Sequence, residues 1–166
     1  MNVIVIGGGA AGFFGAIACA EANPQLKVTL IEAGNKPLAK VRISGGGRCN
    51  VTHHCFEPAR LVANYPRGGK ALRGAFSRFQ PRDTVQWYES RGVKLKTEAD
   101  GRMFPITDSS ETIINCLMHA ANKAKVDLLT GVGVKTVKQY LDDRGASYFQ
   151  VELKNERVMK CDRLLI

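Results

Sequence analysis

The 166-residue chain reads as an α/β domain, a parallel sheet with helices plus a β-meander. Three observations predict that class. Residues 3–6 (VIVI) form an uncharged β-branched run, followed at once by Gly7-Gly8-Gly9-Ala10-Ala11-Gly12 and an apolar stretch to Ala22. KVTLIE at residues 27–32 then returns to strand character, and so short a strand–helix–strand spacing implies two parallel strands joined by a right-handed crossover. Beyond residue 125, β-rich segments alternate with turns such as Asp142-Asp143-Arg144-Gly145 and Asn155-Glu156.

Taken in order, residues 2–6 are a buried strand, and 11–22 a helix that Asn23-Pro24 ends. Residues 34–69 are rich in Gly, Pro and basic side chains with little periodicity, which predicts a long, ordered, functional excursion. Helical spacing returns at 70–79 and 82–91, divided by Pro81 and closed by Gly92. Gly101–Pro105 reads as a turn and short strand. Asp108-Ser109-Ser110-Glu111 caps an amphipathic helix reaching Lys123, with Ile113, Ile114, Leu117 and Ala121 on one face. Val126–Val137, Tyr148–Leu153 and Val158–Ile166 are the closing strands. A chain of this length is expected to form one domain with a real core. Its last residues, Arg163-Leu164-Leu165-Ile166, read as the middle of a buried strand, so the expectation is a C-terminally truncated domain whose substrate domain lies outside this chain.

The formal charge is +9, and it is local. Residues 1–37 and 97–166 each sum to zero, so the twelve bases and three acids of 38–96 carry all of it. This excludes a uniformly basic tail and points to an anion handled at one place. The uncharged stretch 3–20 imitates a membrane span, but its consecutive glycines disfavour one continuous helix. Five irregularly spaced cysteines and the lack of a basic leader before the first strand predict reduced thiols in the cytoplasm.

Gly7, Gly9 and Gly12 fit G-x-G-x-x-G in the required context: strand before, helix after, and Glu32 closing the second strand. Gly7 permits the tight turn, Gly9 lets a pyrophosphate approach the backbone, and Gly12 allows close helix–strand packing. The helix N-terminus then receives the phosphates, while Glu32 accepts hydrogen bonds from an adenosine ribose and disfavours a 2′-phosphate. The pattern predicts a Rossmann-like FAD/NAD(P)-binding domain, with FAD or NAD favoured over NADP. A second glycine-rich loop, Ser44-Gly45-Gly46-Gly47-Arg48-Cys49-Asn50, tilts the choice to FAD. It offers further backbone donors near the same pyrophosphate, with Lys40, Arg42 and Arg48 as cations.

The combination of VIGGGAAG, LIEAG, RISGGGRCNVTH and LKTEADGRMFPITDSSETII resembles a family of bacterial FAD-dependent flavoproteins that includes aminoacetone oxidase and a bile-acid dehydro-reductase. The likeness covers essentially the whole chain. Members are longer, with a two-dinucleotide-binding-type FAD domain and an inserted substrate-side domain. The resemblance implies that Gly7, Gly9, Ala11 and Gly12 line the FAD pyrophosphate, with Glu32 on the ribose. It further implies that Lys40, Gly47, Arg48, Cys49 and Asn50 lie along the cofactor toward the flavin, and that Val134 meets adenine through its backbone. Just before Lys40, where similar proteins carry a glycine, this chain has Leu38 and Ala39.

Plainer readings compete elsewhere. Cys49, His53, His54 and Cys55 have no common zinc spacing, so no metal is assigned. Cys49 as a redox thiol needs a partner, and Cys55 is the near one. His119 reads as a helix-surface residue, and Trp87 and Tyr88 as packing. No catalytic residue is assigned. The expectation is a flavoprotein oxidoreductase acting on a small-molecule substrate, with NAD(P)H a candidate electron donor and no membrane association. The alternatives are an FAD-dependent tRNA-modifying or nucleic-acid-associated flavoprotein, for which the basic segment is a weak signal because no recognised RNA module accompanies it, and a non-catalytic nucleotide-binding fragment.

Overall fold

The computed structural model describes residues 1–166. In chain order the elements are β1 (Asn2–Ile6), α1 (Ala10–Ala22), β2 (Lys27–Ile31), α2 (Ala39–Gly47), β3 (Thr52–His53), α3 (Pro58–Val62), α4 (Gly69–Phe76), α5 (Pro81–Glu89), β4 (Leu95–Thr97), β5 (Arg102–Pro105), α6 (Ser110–Lys123), β6 (Asp127–Leu129), β7 (Val134–Leu141), β8 (Ser147–Leu153), β9 (Val158–Cys161) and β10 (Arg163–Leu165). They form two compact units, one of Met1–Val41 with Leu117–Ile166 and one of Arg42–Cys116.

The first unit holds a four-stranded sheet in the order β10-β1-β2-β6, parallel throughout. Val3, Ile4 and Val5 of β1 and Val28, Leu30 and Ile31 of β2 are buried, as expected of parallel strands covered on both faces. α1 lays Phe13, Ala16, Ile17 and Ala20 onto this sheet, and Phe13 and Ile17 lose all contact with solvent. Burial of each such side chain contributes roughly 1.5–3 kcal/mol. The antiparallel meander β7-β8-β9 packs Val151, Leu153 and Cys161 against Ile4 and Ile31.

Two expected strands are each two strands. Val126–Val137 divides at Gly131, whose φ of +70° takes the chain from β6 in the parallel sheet to β7 in the meander. Val158–Ile166 divides at Asp162, which ends β9 and lets β10 join β1. Asp162 ties this crossing to the start of β1: its N–H donates to the Asn2 carbonyl at 2.9 Å, and its carboxylate accepts from the Asn2 N–H at 2.6 Å. β10 was expected to be buried. It lies at the outer edge of the sheet in this chain, with Leu165 43% exposed.

In the second unit, β3, β5 and β4 make a small antiparallel sheet in that order. Phe104 on β5 is fully buried, with Met103, Val93, Tyr88, Leu61, Ile113 and Ile114 also in the interior. α5 starts at Pro81 with the Gln80 N–H donating to the Asp83 carboxylate at 2.7 Å, and it closes at Gly92 in the left-handed conformation. The ordered excursion expected over residues 34–69 contains α2, β3 and α3.

Candidate dinucleotide site

The turn after β1 is built as its glycines require. Gly7 has φ +104°, a left-handed value that a side chain rarely tolerates, and its N–H donates to the Ile31 carbonyl at 2.8 Å. A Cβ on Gly12 would lie 1.8 Å from the Gly7 carbonyl oxygen, so only glycine lets α1 begin this close to the strand. A Cβ on Gly9 would meet nothing within 4 Å. That open space lies over the start of α1, where no side chain caps the helix and no acid occupies the first turn. The amides of Ala10, Ala11 and Gly12 have no intrahelical acceptor, which leaves donors and a partial positive charge directed outward.

Glu32 follows β2 directly and turns back to the same place. One carboxylate oxygen accepts the Gly8 N–H and the other the Gly34 N–H, both at 2.7 Å. A carboxylate oxygen has acceptor capacity for more than one bond, so the pair of oxygens is fixed in direction and still able to take hydroxyl donors. Two neighbouring segments adjoin the turn and Glu32. The Leu38 N–H donates to the Gly8 carbonyl at 2.7 Å, strapping the turn. Leu38 is buried and has φ +59°, so it adopts a left-handed backbone at the place where a glycine is the easy choice. The second segment is Gly131–Val132: Val132 donates to the Glu32 carbonyl at 3.1 Å, and Gly131 to that of Gly34 at 3.0 Å. Val134 begins β7 opposite Leu153, next to a register irregularity, and packs against the meander core. Lys40 is exposed on the first turn of α2.

Gly7, Gly9, Ala11, Gly12, Glu32, Lys40 and Val134 thus belong to the first unit; Gly47, Arg48, Cys49 and Asn50 belong to the second. There, Ser44 leaves helical geometry, and Gly45, Gly46 and Gly47 all take positive φ. Gly45 is a packing position, because a Cβ would meet Phe104 at 2.8 Å and the Asn50 amide at 2.9 Å; Gly46 and Gly47 face open space. The Arg48 guanidinium pairs with Glu98, lies 3.6 Å from Asp108 and stacks 4.0 Å above the Phe104 ring. Arg42 pairs with Glu111, and its carbonyl accepts from the buried Ser110 hydroxyl at 2.8 Å. Both arginines therefore spend charge on carboxylates of their own unit. With its amide oriented by its partners, Asn50 donates to the Thr52 carbonyl at 2.9 Å.

Cys49 is 6% exposed with φ +62°. Burial pushes its thiol up from the ordinary range, opposed by a hydrogen bond with Ser44. That is the opposite of an activated thiolate, and all five cysteines are free thiols. His53 Nε2 lies 3.0 Å from the Asp100 carbonyl, and the His54 ring packs edge-on against Phe56. No helix is long and apolar enough to cross a membrane.

Solved structures share this architecture. A 3-ketosteroid-delta4-(5alpha)-dehydrogenase from Rhodococcus jostii RHA1 superposes with a TM-score of 0.66 at 14% identity, over 95% of this chain and 43% of that one. The open form of a flavocytochrome c3 fumarate reductase gives 0.62 at 23% identity, over 98% and 32%. Among curated proteins, a ribosomal RNA dihydrouridine synthase of Escherichia coli K12 is 31% identical over 99% of this chain and 38% of its own length. A 3-dehydro-bile acid delta(4,6)-reductase of Clostridium scindens is 29% identical over 83% and 33%. The chain thus spans a third to two fifths of the relatives it matches. A model of the HI0933-like protein Rossmann domain matches residues 1–166, and the chain belongs to that family.

Proposed function

We propose that this chain is the FAD-binding part of a flavoprotein oxidoreductase. The observation that carries the proposal is the open, uncapped start of α1 beside a carboxylate already oriented by the Gly8 and Gly34 amides. The outward amides suit a pyrophosphate, and the Gly9 position leaves room for its approach. Glu32 suits the two ribose hydroxyls and repels a 2′-phosphate. FAD, when bound, supplies the hydride and electron transfer; the residues named here bind and orient it. By the resemblance, Lys40, Gly47, Arg48, Cys49, Asn50 and Val134 also belong to the cofactor.

The test is binding. Purified protein should take up FAD, acquire flavin absorbance and quench flavin fluorescence. Glu32→Gln should weaken FAD about tenfold or more, since a charge-assisted hydrogen bond is worth about 1.5–3 kcal/mol. A colourless protein that ignores added FAD would end the proposal.

The substrate reading is a small molecule reduced at the expense of NAD(P)H, supported by the bile-acid reductase named among the relatives. A second reading is an RNA base as substrate. It is favoured by the RNA-modifying relative, which matches nearly the whole chain at 31% identity, and by the concentration of charge in residues 38–96. NAD(P)H consumption by holoprotein, with RNA or with steroid-like acceptors, separates the two.

A further inference from the structure

Residues 58–82 contain Arg60, Arg67, Lys70, Arg73, Arg78 and Arg82, and not one Asp or Glu. They build α3, α4 and the start of α5, all within the second unit. All six bases are exposed. An acid flanks the segment at each end: Glu57 lies 4.0 Å from Arg60, and Asp83, next to Arg82, accepts the Gln80 N–H at 2.7 Å. An ordinary solvated face intersperses both signs, as residues 97–166 do with equal numbers of each. Here nothing within the segment offsets the charge.

Exposed aromatics share the segment. Tyr65 and Phe79 are 41% and 42% exposed, and the Tyr65 ring lies 5.5 Å from that of Phe76. These three rings border a groove of about 330 Å³ with Leu61, Pro81 and Thr84. Beside it, Arg60, Arg82 and Phe56 border another of about 630 Å³. α4 has no fully buried residue; Leu72 and Phe76 are half-buried where it packs on α3, and Lys70 and Arg73 are exposed.

We infer that the surface of residues 58–82 is a docking site for RNA with unpaired bases. The bases neutralise backbone phosphates, and the Tyr65–Phe76–Phe79 groove stacks a base. Six exposed cations with no acid within the segment favour a polyanion; planar aromatic partners among them select a nucleic acid strand over an acidic peptide or a lipid surface. The inference rests on the RNA reading above.

The test uses the full chain and a fluorescein-labelled RNA hairpin with a single-stranded loop, followed by anisotropy across a KCl series. Arg67→Gln/Lys70→Gln/Arg73→Gln should bind at least tenfold more weakly and lower the log–log salt slope by about 2, at roughly 0.7 per phosphate contact. Tyr65→Leu should weaken binding about fivefold or more with the slope unchanged, because stacking is insensitive to salt. Lys138→Gln/Arg144→Gln/Arg157→Gln removes the same charge from the first unit and should bind as wild type. All variants change exposed residues, and circular dichroism verifies that each is folded. No binding by wild type at low salt removes the RNA reading and the surface with it. Wild-type binding that survives in the first variant, or falls equally in the Lys138 variant, overturns the surface alone. Equal affinity for a loopless duplex, for polyglutamate or for phosphatidylserine vesicles also overturns it.

Discussion

Exchanging Gly12 and Gly9 for alanine should separate what holds the fold from what holds the ligand. At Gly12 the new Cβ would stand 1.8 Å from the Gly7 carbonyl oxygen, far inside the 3.0 Å that a Cβ needs. The obstacle is backbone, so no rotamer relieves it; the start of α1 must move away from β1, loosening Phe13 and Ile17 beneath it. Overpacking of this kind costs about 1–3 kcal/mol or more, and alanine's helix propensity returns at most about 1 kcal/mol. A net loss of about 2 kcal/mol should lower Tm by about 4–8 °C in a chain of this size. At Gly9 the Cβ meets nothing, and φ is −86°, so the loss is that of a poorer helix cap, under about 1 kcal/mol. Yet that methyl fills the space a pyrophosphate would use. Gly9→Ala should bind FAD at least tenfold more weakly while melting near wild type. Differential scanning calorimetry with flavin fluorescence titration measures both. Gly12→Ala melting as wild type would refute the packing argument, and unchanged FAD affinity in Gly9→Ala would refute the placement of the phosphates.

Leu38→Gly removes a left-handed leucine but also a buried side chain. Relief of about 1 kcal/mol against a loss of about 2–5 kcal/mol leaves the variant less stable, and a rise in stability by urea titration would show that backbone strain dominates. Lys96, and after it Arg48, hold the Asp108 carboxyl below the ordinary 3.8, so its stabilisation is present above that value and lost as pH falls through the lower folded-state value. Asp108→Asn should therefore flatten the acid limb of stability against pH, and an unchanged limb would deny the pairing any role. Iodoacetamide at neutral pH should label the half-buried Cys55 well before Cys49, as read by peptide mass spectrometry; the reverse order would restore a thiolate role for Cys49.

What the sequence disclosed was what is decided locally. β1, α1 and β2 lie within a residue of expectation, because a buried apolar strand, a glycine turn and a capping Asn-Pro are each written in a few adjacent positions. Gly12 and Glu32 were legible for the same reason. The splits at Gly131 and Asp162 were not, since β propensity runs on through both segments and only distant partners decide which sheet each half joins. Arg48 shows the same limit at the site. Its spacing from the glycines suggested a phosphate cation, but its carboxylates come from Glu98 and Asp108, far along the chain. Leu38 was visible as a departure from glycine; that it would keep a glycine's backbone follows from burial, which no local pattern reports.

The crossing at Asp162 has a consequence for synthesis. β1 precedes its neighbour β10 by the 160 residues between the paired Val3 and Arg163. At ~5–20 residues per second, about 8–30 s separate their emergence from the ribosome. Throughout that interval β1 can pair with β2 on one side, while its other edge presents unpaired backbone beside apolar side chains. The nascent chain therefore exposes this apolar edge throughout that interval, and a chaperone that shields extended apolar strands should associate with it until β10 is made.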